Sequence, residues 1–219
     1  MLQVQSFVFN PFQENTFVLF EETKECIIVD PGCSDDAERT QLKAFIDHHK
    51  LKVKLLLNTH CHIDHVLGNR FVKETFKVNL LIHRLEEAVL KASEVYAPSY
   101  GFHLYQHQPA DGFLEEEDII TFGNQTFVVR FVPGHSPGHV AFYNEKNRIL
   151  IGGDVLFYNS IGRTDMPGGN HELLINSIHT RLFTLPDQVR VYPGHGPETT
   201  IGFEKKTNPF CAVDNINIG

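Results

Sequence analysis

Four apolar stretches of this chain break off in the same way, and that repetition constrains the fold more than any other feature. Residues 52–58 run straight into Thr59-His60-Cys61-His62-Ile63-Asp64-His65. Residues 125–131 run into Val132-Pro133-Gly134-His135-Ser136-Pro137-Gly138-His139, residues 149–151 into Gly152-Gly153-Asp154, and residues 189–192 into Pro193-Gly194-His195-Gly196. Strands of this kind end at a sheet edge, and Gly or Pro turns let the backbone approach closely there. A chain built this way must fold so that several strand ends each deliver an imidazole or a carboxylate.

The first of these breaks carries the densest chemistry. If the chain leaves the strand extended, His60 and His62 point one way and Cys61 the other, because side chains alternate with period two. Asp64 and His65 then sit where the chain turns toward a helix. Imidazole and carboxylate suit borderline divalent ions, and a bridging aspartate can hold two such ions roughly 3.5 Å apart. His60, His62 and His135 would supply one site, and Asp64, His65 and His195 the other, with Asp154 bridging. Zn²⁺ is the expected ion, with Fe or Mn as alternatives. Asp64 and Asp154 are assigned catalytic as well as metal-holding roles. His139 is read as structural because His135 already takes the strand-end position, and Cys61 as buried filler. Asp30 closes a β-run; it is either a partner that fixes a histidine tautomer or a plain turn former.

The remaining periodicity fills in the frame. Strands are expected at 4–9, 16–20 and 26–29, antiparallel at the start of the chain, then at 52–58, 78–83, 118–122, 125–131, 140–144, 149–151 and 189–192. The continuous apolar run in 52–58 suits a strand buried on both faces. Ser34-Asp35-Asp36 offers an N-cap to a helix over 37–49, carried by Leu42, Phe45 and Ile46. Further helices are expected within 62–75, over 85–93 and over 172–182, with a terminal helix or arm in 201–219. Residues 96–113 show no period and read as a long loop or lid. The strand-rich-then-helical rhythm occurs twice, which suits two sheets packed face to face with helices outside. At 219 residues one domain over 1–219 is favoured.

Composition narrows the function. A net charge of −8 with dispersed Lys and Arg argues against a nucleic-acid surface. No apolar run approaches the roughly 20 residues that span a bilayer. The first residues lack a basic leader, so a cytoplasmic location is expected. Cys26, Cys33, Cys61 and Cys211 have no paired spacing and read as reduced, buried thiols.

The His60–His65 cluster, Pro133-Gly134-His135, Gly153-Asp154 and Pro193-Gly194-His195-Gly196 resemble, in that order and across nearly the whole chain, the metallo-β-lactamase superfamily. Ile161-Gly162-Arg163-Thr164-Asp165 and Glu204-Lys205-Lys206-Thr207-Asn208-Pro209-Phe210 look like its glyoxalase II group, the short bacterial members in particular. The resemblance implies an α/β fold, a four-layer αββα sandwich, and places the seven metal-ligand roles on the residues named above. It also implies hydrolysis of a small-molecule thioester of the S-lactoylglutathione type, with Arg163, Lys205 and Lys206 as candidates for binding an anionic glutathione conjugate. Two cations bring the pKa of a shared water toward roughly 7, so hydroxide is available at neutral pH. A thiolate leaves without a strong general acid. Two alternatives stay open. His60, His135 and Asp154 could form the two-histidine, one-carboxylate triad of an iron oxygenase such as a persulfide dioxygenase, or the cluster could be a non-catalytic metal-binding scaffold.

Overall fold

The computed structural model describes residues 1–213, so the end of the expected terminal segment, 214–219, lies outside the described residues. The chain forms two compact units: Met1–Leu114 with Ile120–Thr126, and Glu115–Ile119 with the described chain from Phe127 onward.

The first unit carries a six-stranded sheet in the order β1 (Gln3–Phe9), β2 (Glu14–Phe20), β3 (Glu25–Val29), β4 (Lys52–Leu57), β5 (Leu80–His83) and β6 (Gly112–Leu114). β1, β2 and β3 pair antiparallel, as expected. From β3 to β6 every pairing is parallel, so each connection must cross over. Helix α1 (Asp36–His49) makes the first crossover. The Asp35 carboxylate accepts from the Glu38 N–H to open it, and Lys50 closes it at φ 55°. Its Leu42 and Ile46 are buried, with Phe45 packed against the same core of Val18, Ile28 and Leu56. Short helices α2 (Ile63–Val66) and α3 (Asn69–Phe76) make the second crossover; a 3-10 turn (Arg84–Glu86) and α4 (Glu87–Tyr96) the third.

Two expectations are corrected here. β4 is not buried on both faces: Lys52 and Lys54 are exposed, Val53 and Leu55 half-buried, and only Leu56 and Leu57 fully covered. The lysines alternate onto a face that is open at the strand's start. Nor is 96–113 one long loop. α4 runs through Tyr96, a 3-10 turn follows over Ala97–Tyr100, Gly101 closes it at φ 89°, and Gly112 begins β6. Only the middle is irregular.

The strands β7 (Ile119–Phe122) and β8 (Gln125–Phe131) follow each other around the turn at Gly123. In the second unit β8 pairs antiparallel with β9 (Val140–Asn144), and β9 with β10 (Ile149–Gly153). β10 pairs parallel with β13 (Arg190–Pro193), which pairs antiparallel with β14 (Thr199–Thr200). β8, β10 and β13 therefore point the same way, and their C-terminal ends share one sheet edge. A two-strand hairpin, β11 (Leu156–Phe157) and β12 (Ser160–Ile161), went unread in the sequence. Helix α5 (His171–Ser177) continues as a π turn over Ile178–Leu182 and buries Leu174, Ile178 and Leu182 against Leu150 and Val191. Helix α6 (Ile201–Thr207) opens on Thr200, whose hydroxyl accepts from the Phe203 N–H.

All four cysteines are buried and free, as expected. Burial pushes the thiols of Cys26, Cys33 and Cys211 up to about 12 and that of Cys61 well above its usual value. Among the described residues no helix is long and apolar enough to cross a membrane.

Candidate metal centre

In the first unit, β4 ends at Leu57 and the next residues carry the expected cluster. The His60 ring lies 4.7 Å from that of His62 and 4.1 Å from that of His65, centroid to centroid. All three are buried, His60 and His65 completely. Nε2 of His65 is 3.6 Å from Oδ2 of Asp64. β3 runs parallel to β4, so Asp30, one residue past β3, arrives at the same edge.

Counting protons assigns the ring nitrogens. The Thr59 hydroxyl lies 2.6 Å from Asp30 Oδ2 and 3.1 Å from His60 Nδ1. Its one proton goes to the carboxylate, so its oxygen accepts from the Nδ1–H of His60. Asp30 Oδ2 also lies 3.2 Å from Nδ1 of His65 and takes that proton too. Both rings are thereby held in the tautomer whose Nε2 carries a lone pair, which is what a metal ligand needs. One ligand-type atom each of Asp30, His60 and His65 falls within 4.8 Å of the others. The oxygens of Asp30 are nevertheless engaged by the Thr59 N–H, the Thr59 hydroxyl and His65. Of the two readings left open for Asp30, tautomer fixing is the one with geometry behind it, although its φ of 48° makes it a turn residue as well.

The second unit brings three further expected ligands together. His135 follows β8, Asp154 follows β10 and His195 follows β13, at the edge those co-directional strands share. Oδ2 of Asp154 lies 3.7 Å from Nε2 of His135 and 3.5 Å from Nε2 of His195. His135 Nδ1 is 2.7 Å from the Arg163 carbonyl, which can only accept, so its Nε2 is also the lone-pair nitrogen. His139 uses Nε2 to accept from the Asp154 N–H at 3.0 Å, the structural role expected of it. Gly134 (φ 135°) permits the close approach before His135: a Cβ there would meet the Leu174 nitrogen at 2.3 Å.

These donors fit a divalent ion. Separations of 3.5–3.7 Å are too long for hydrogen bonds. Two ligand atoms each about 2.1 Å from one tetrahedral ion stand about 3.4 Å apart, which is the spacing found.

The residues assigned to substrate are differently placed. Arg163 extends into solvent and is held by both oxygens of Asp165, whose carboxyl falls to about 2 through that pairing. Lys205 pairs with Asp187 at 3.4 Å, and Lys206 is exposed near the end of α6. Of the tyrosines in 96–105, Tyr100 stacks edge-on to Phe12, and Tyr105 lines a cavity of about 860 Å³ between α1, α3 and the 101–106 loop. The cations in its wall sit beside carboxylates: Arg39 with Asp36, Lys43 with Asp47, Arg70 with Glu74.

Sequence reasoning missed Thr59, Glu14 and Glu86. Thr59 could have been found, since a hydroxyl directly before a ligand histidine is placed to reach its ring. Glu14 could not: it sits in β2, its Oε1 is 4.0 Å from His65, and burial raises its carboxyl well above the usual range.

Comparison with known proteins places this geometry. The pattern of the Metallo-beta-lactamase superfamily matches residues 9–195. The hydroxyacylglutathione hydrolase GloC of Haemophilus influenzae is 36% identical over 201 residues, 91% of this chain and 93% of that protein. Among solved structures, the BLEG-1 B3 metallo-beta-lactamase is 39% identical with a TM-score of 0.84, covering 96% of this chain and 99% of that one. TTHA1623 in a di-iron-bound form is 35% identical with a TM-score of 0.83, covering 94% of this chain and all of that one. The two mixed sheets with their helices are thus the expected αββα sandwich. By its pattern and its relatives, the chain belongs to the metallo-β-lactamase superfamily.

Proposed function

We propose that His60, His62, Asp64 and His65 act with His135, Asp154 and His195 to hold two divalent metal ions, and that the protein hydrolyses a small-molecule thioester of the hydroxyacylglutathione type. The observation carrying this reading is the proton count: His60, His65 and His135 each have Nδ1 committed as donor, so each offers Nε2 to an ion. Neutral imidazoles fixed in one tautomer beside two carboxylates are costly to arrange and serve metal binding well.

When bound, the ions would lower the pKa of a shared water toward roughly 7 and polarise an acyl oxygen. The chain's own part is to keep imidazole orientation fixed through Asp30, Thr59 and the Arg163 carbonyl, and to hold Asp154 between His135 and His195. No side-chain acid is called on for departure of the thiolate, whose parent thiol titrates near ~8.5. Arg163, Lys205 and Lys206 are the cations proposed to meet an anionic thiol arm; at net charge −8 such a substrate needs local attraction. The GloC relative's name supports a hydroxyacylglutathione substrate. The di-iron neighbour keeps iron beside zinc as the resident ion.

The test is elemental analysis of freshly purified protein, run beside an S-lactoylglutathione assay. Two equivalents of metal per chain with thioester cleavage is the expected result. One iron per chain with oxygen uptake on glutathione persulfide would replace the hydrolase with an oxygenase.

A further inference from the structure

His60 and His62 are joined through Cys61, and that residue lies beyond the end of β4, outside the strand ladder. Two buried side chains take its backbone groups. The Cys61 N–H donates to Glu86 Oε2 at 2.7 Å, and the Ser93 hydroxyl donates to the Cys61 carbonyl at 3.1 Å. Glu86 ends the 3-10 turn before α4 and Ser93 lies within α4. They stand seven residues apart on one helical stretch, two turns along the same face. Both are completely buried, as is Cys61.

A fully buried carboxylate is costly unless its oxygens are hydrogen-bonded, and the Cys61 N–H engages one of them. A small apolar residue would pack there, and water or a neighbouring carbonyl group could serve the backbone. What the pair does that packing cannot is fix the Cys61 peptide from both sides. That peptide sets the separation and relative tilt of the two imidazoles flanking it. We propose that Glu86 and Ser93 are positioning residues for the metal centre: through the Cys61 peptide they set the His60–His62 geometry that an ion meets. This rests on the reading of these histidines as metal ligands.

The link continues outward. Ser93 Oγ is 3.2 Å from the Tyr96 hydroxyl and 3.2 Å from the Val89 carbonyl. The serine's one proton is shared between the Cys61 and Val89 carbonyls, so Tyr96 is the donor to Ser93. Tyr96 packs edge-on to Tyr100, and Tyr100 to Phe12. The segment after α4 is therefore tied through Tyr96 and Ser93 to the backbone between two ligands.

The test uses the full chain and three variants, Glu86→Ala, Glu86→Gln and Ser93→Ala. Zn²⁺ affinity is measured by chelator competition, and the visible spectrum of the Co²⁺-loaded protein reports ligand geometry. Glu86→Ala is expected to weaken Zn²⁺ binding about 10–100-fold, as loss of a partner behind a ligand does, and to shift the Co²⁺ bands. Glu86→Gln keeps an acceptor for the Cys61 N–H and should stay within about threefold of the parent, with its bands in place. Ser93→Ala should fall between them. Parent-like affinity and spectrum in a folded Glu86→Ala protein would overturn the proposal. So would a Glu86→Gln protein as damaged as Glu86→Ala, since the acceptor would then not be what matters. If Glu86→Ala does not fold by circular dichroism, Ser93→Ala decides: an unchanged affinity and spectrum there overturns the assignment. None of these readouts needs a substrate. A parent protein that binds metal yet cleaves no thioester removes the hydrolase and leaves this positioning role standing.

Discussion

The two ligand clusters reach similar geometry by opposite means. In the first unit four candidate ligands come from one short run after β4, and side chains fix their rings: Asp30 directly for His65, Asp30 through Thr59 for His60. In the second unit three candidate ligands come from three strand ends, and every fixing contact involves a backbone group. The Arg163 carbonyl takes the His135 proton, and His139 takes the Asp154 N–H. Exposure differs as well: His60 and His65 are fully buried, whereas the His195 side chain is 27% exposed. One cluster is written in local sequence and tuned by replaceable side chains. The other is written in strand direction and turn geometry, so a change at a turn glycine or at His139 reaches it without altering a candidate ligand.

The sharpest break in that comparison is Asp154→Asn. Asp154 approaches both histidines of its cluster, and an amide loses the charge a bridge between cations needs. Turnover is expected to fall by more than about 100-fold, beyond what partners behind the ligands cause, with metal content reduced and circular dichroism unchanged. Full turnover at unchanged metal content would refute the bridging role.

Next in size is Asp30→Asn in the first unit. One carboxylate oxygen there serves two donors, the Thr59 hydroxyl and His65 Nδ1. An amide nitrogen in its place presents hydrogens where acceptance is required, so both rings lose their enforced tautomer. Zn²⁺ affinity by chelator competition should drop about 10–100-fold. Thr59→Val cuts only the branch to His60 and should cost less than Asp30→Asn. An equal loss in both would mean that His65 takes no part in the effect.

The same contrast explains what the sequence made legible. The strand-end positions of the histidines and aspartates, most strands, and α1 with its Leu42 and Ile46 face could be read directly, because period and turn chemistry are local signals. The tautomer-fixing role of Asp30 remained one of two readings, since its partner His65 is 35 residues away. Glu86 and Ser93 were invisible for a stronger reason: they look like ordinary polar positions of an amphipathic helix until the fold buries them against Cys61. β11 and β12 were missed because two-residue strands carry no period. The misreading of β4 came from giving its leucines more weight than its alternating lysines.

If backbone geometry does hold the second cluster, Gly134→Ala should damage it without touching a ligand. The glycine sits at φ 135°, and a Cβ would meet Leu174 backbone atoms at 2.3 and 2.4 Å. Strain of this kind is worth about 1–3 kcal/mol, which lowers the melting temperature by roughly 3–10 °C in a chain of this length. Differential scanning calorimetry reads the shift. An unchanged melting temperature would show that the turn before His135 can relax, and the contrast between the clusters would weaken.

The smallest expected effect tests how substrate meets the second unit. Lys205 already pairs with Asp187 on the surface, and such pairs contribute about 0–1 kcal/mol, so Lys205→Ala with Lys206→Ala should leave the melting temperature nearly unchanged. If the two ammonium groups attract an anionic thiol arm, the double variant raises KM for glutathione thioesters by a few-fold, about 1 kcal/mol in free energy, and leaves neutral thioesters unaffected. The increase should shrink as ionic strength rises, because exposed charges act through solvent. Steady-state kinetics on a charged and a neutral thioester at two salt concentrations separates the cases. A matched rise for both substrates at both salts would assign the lysines to α6 structure and leave anion recognition to Arg163.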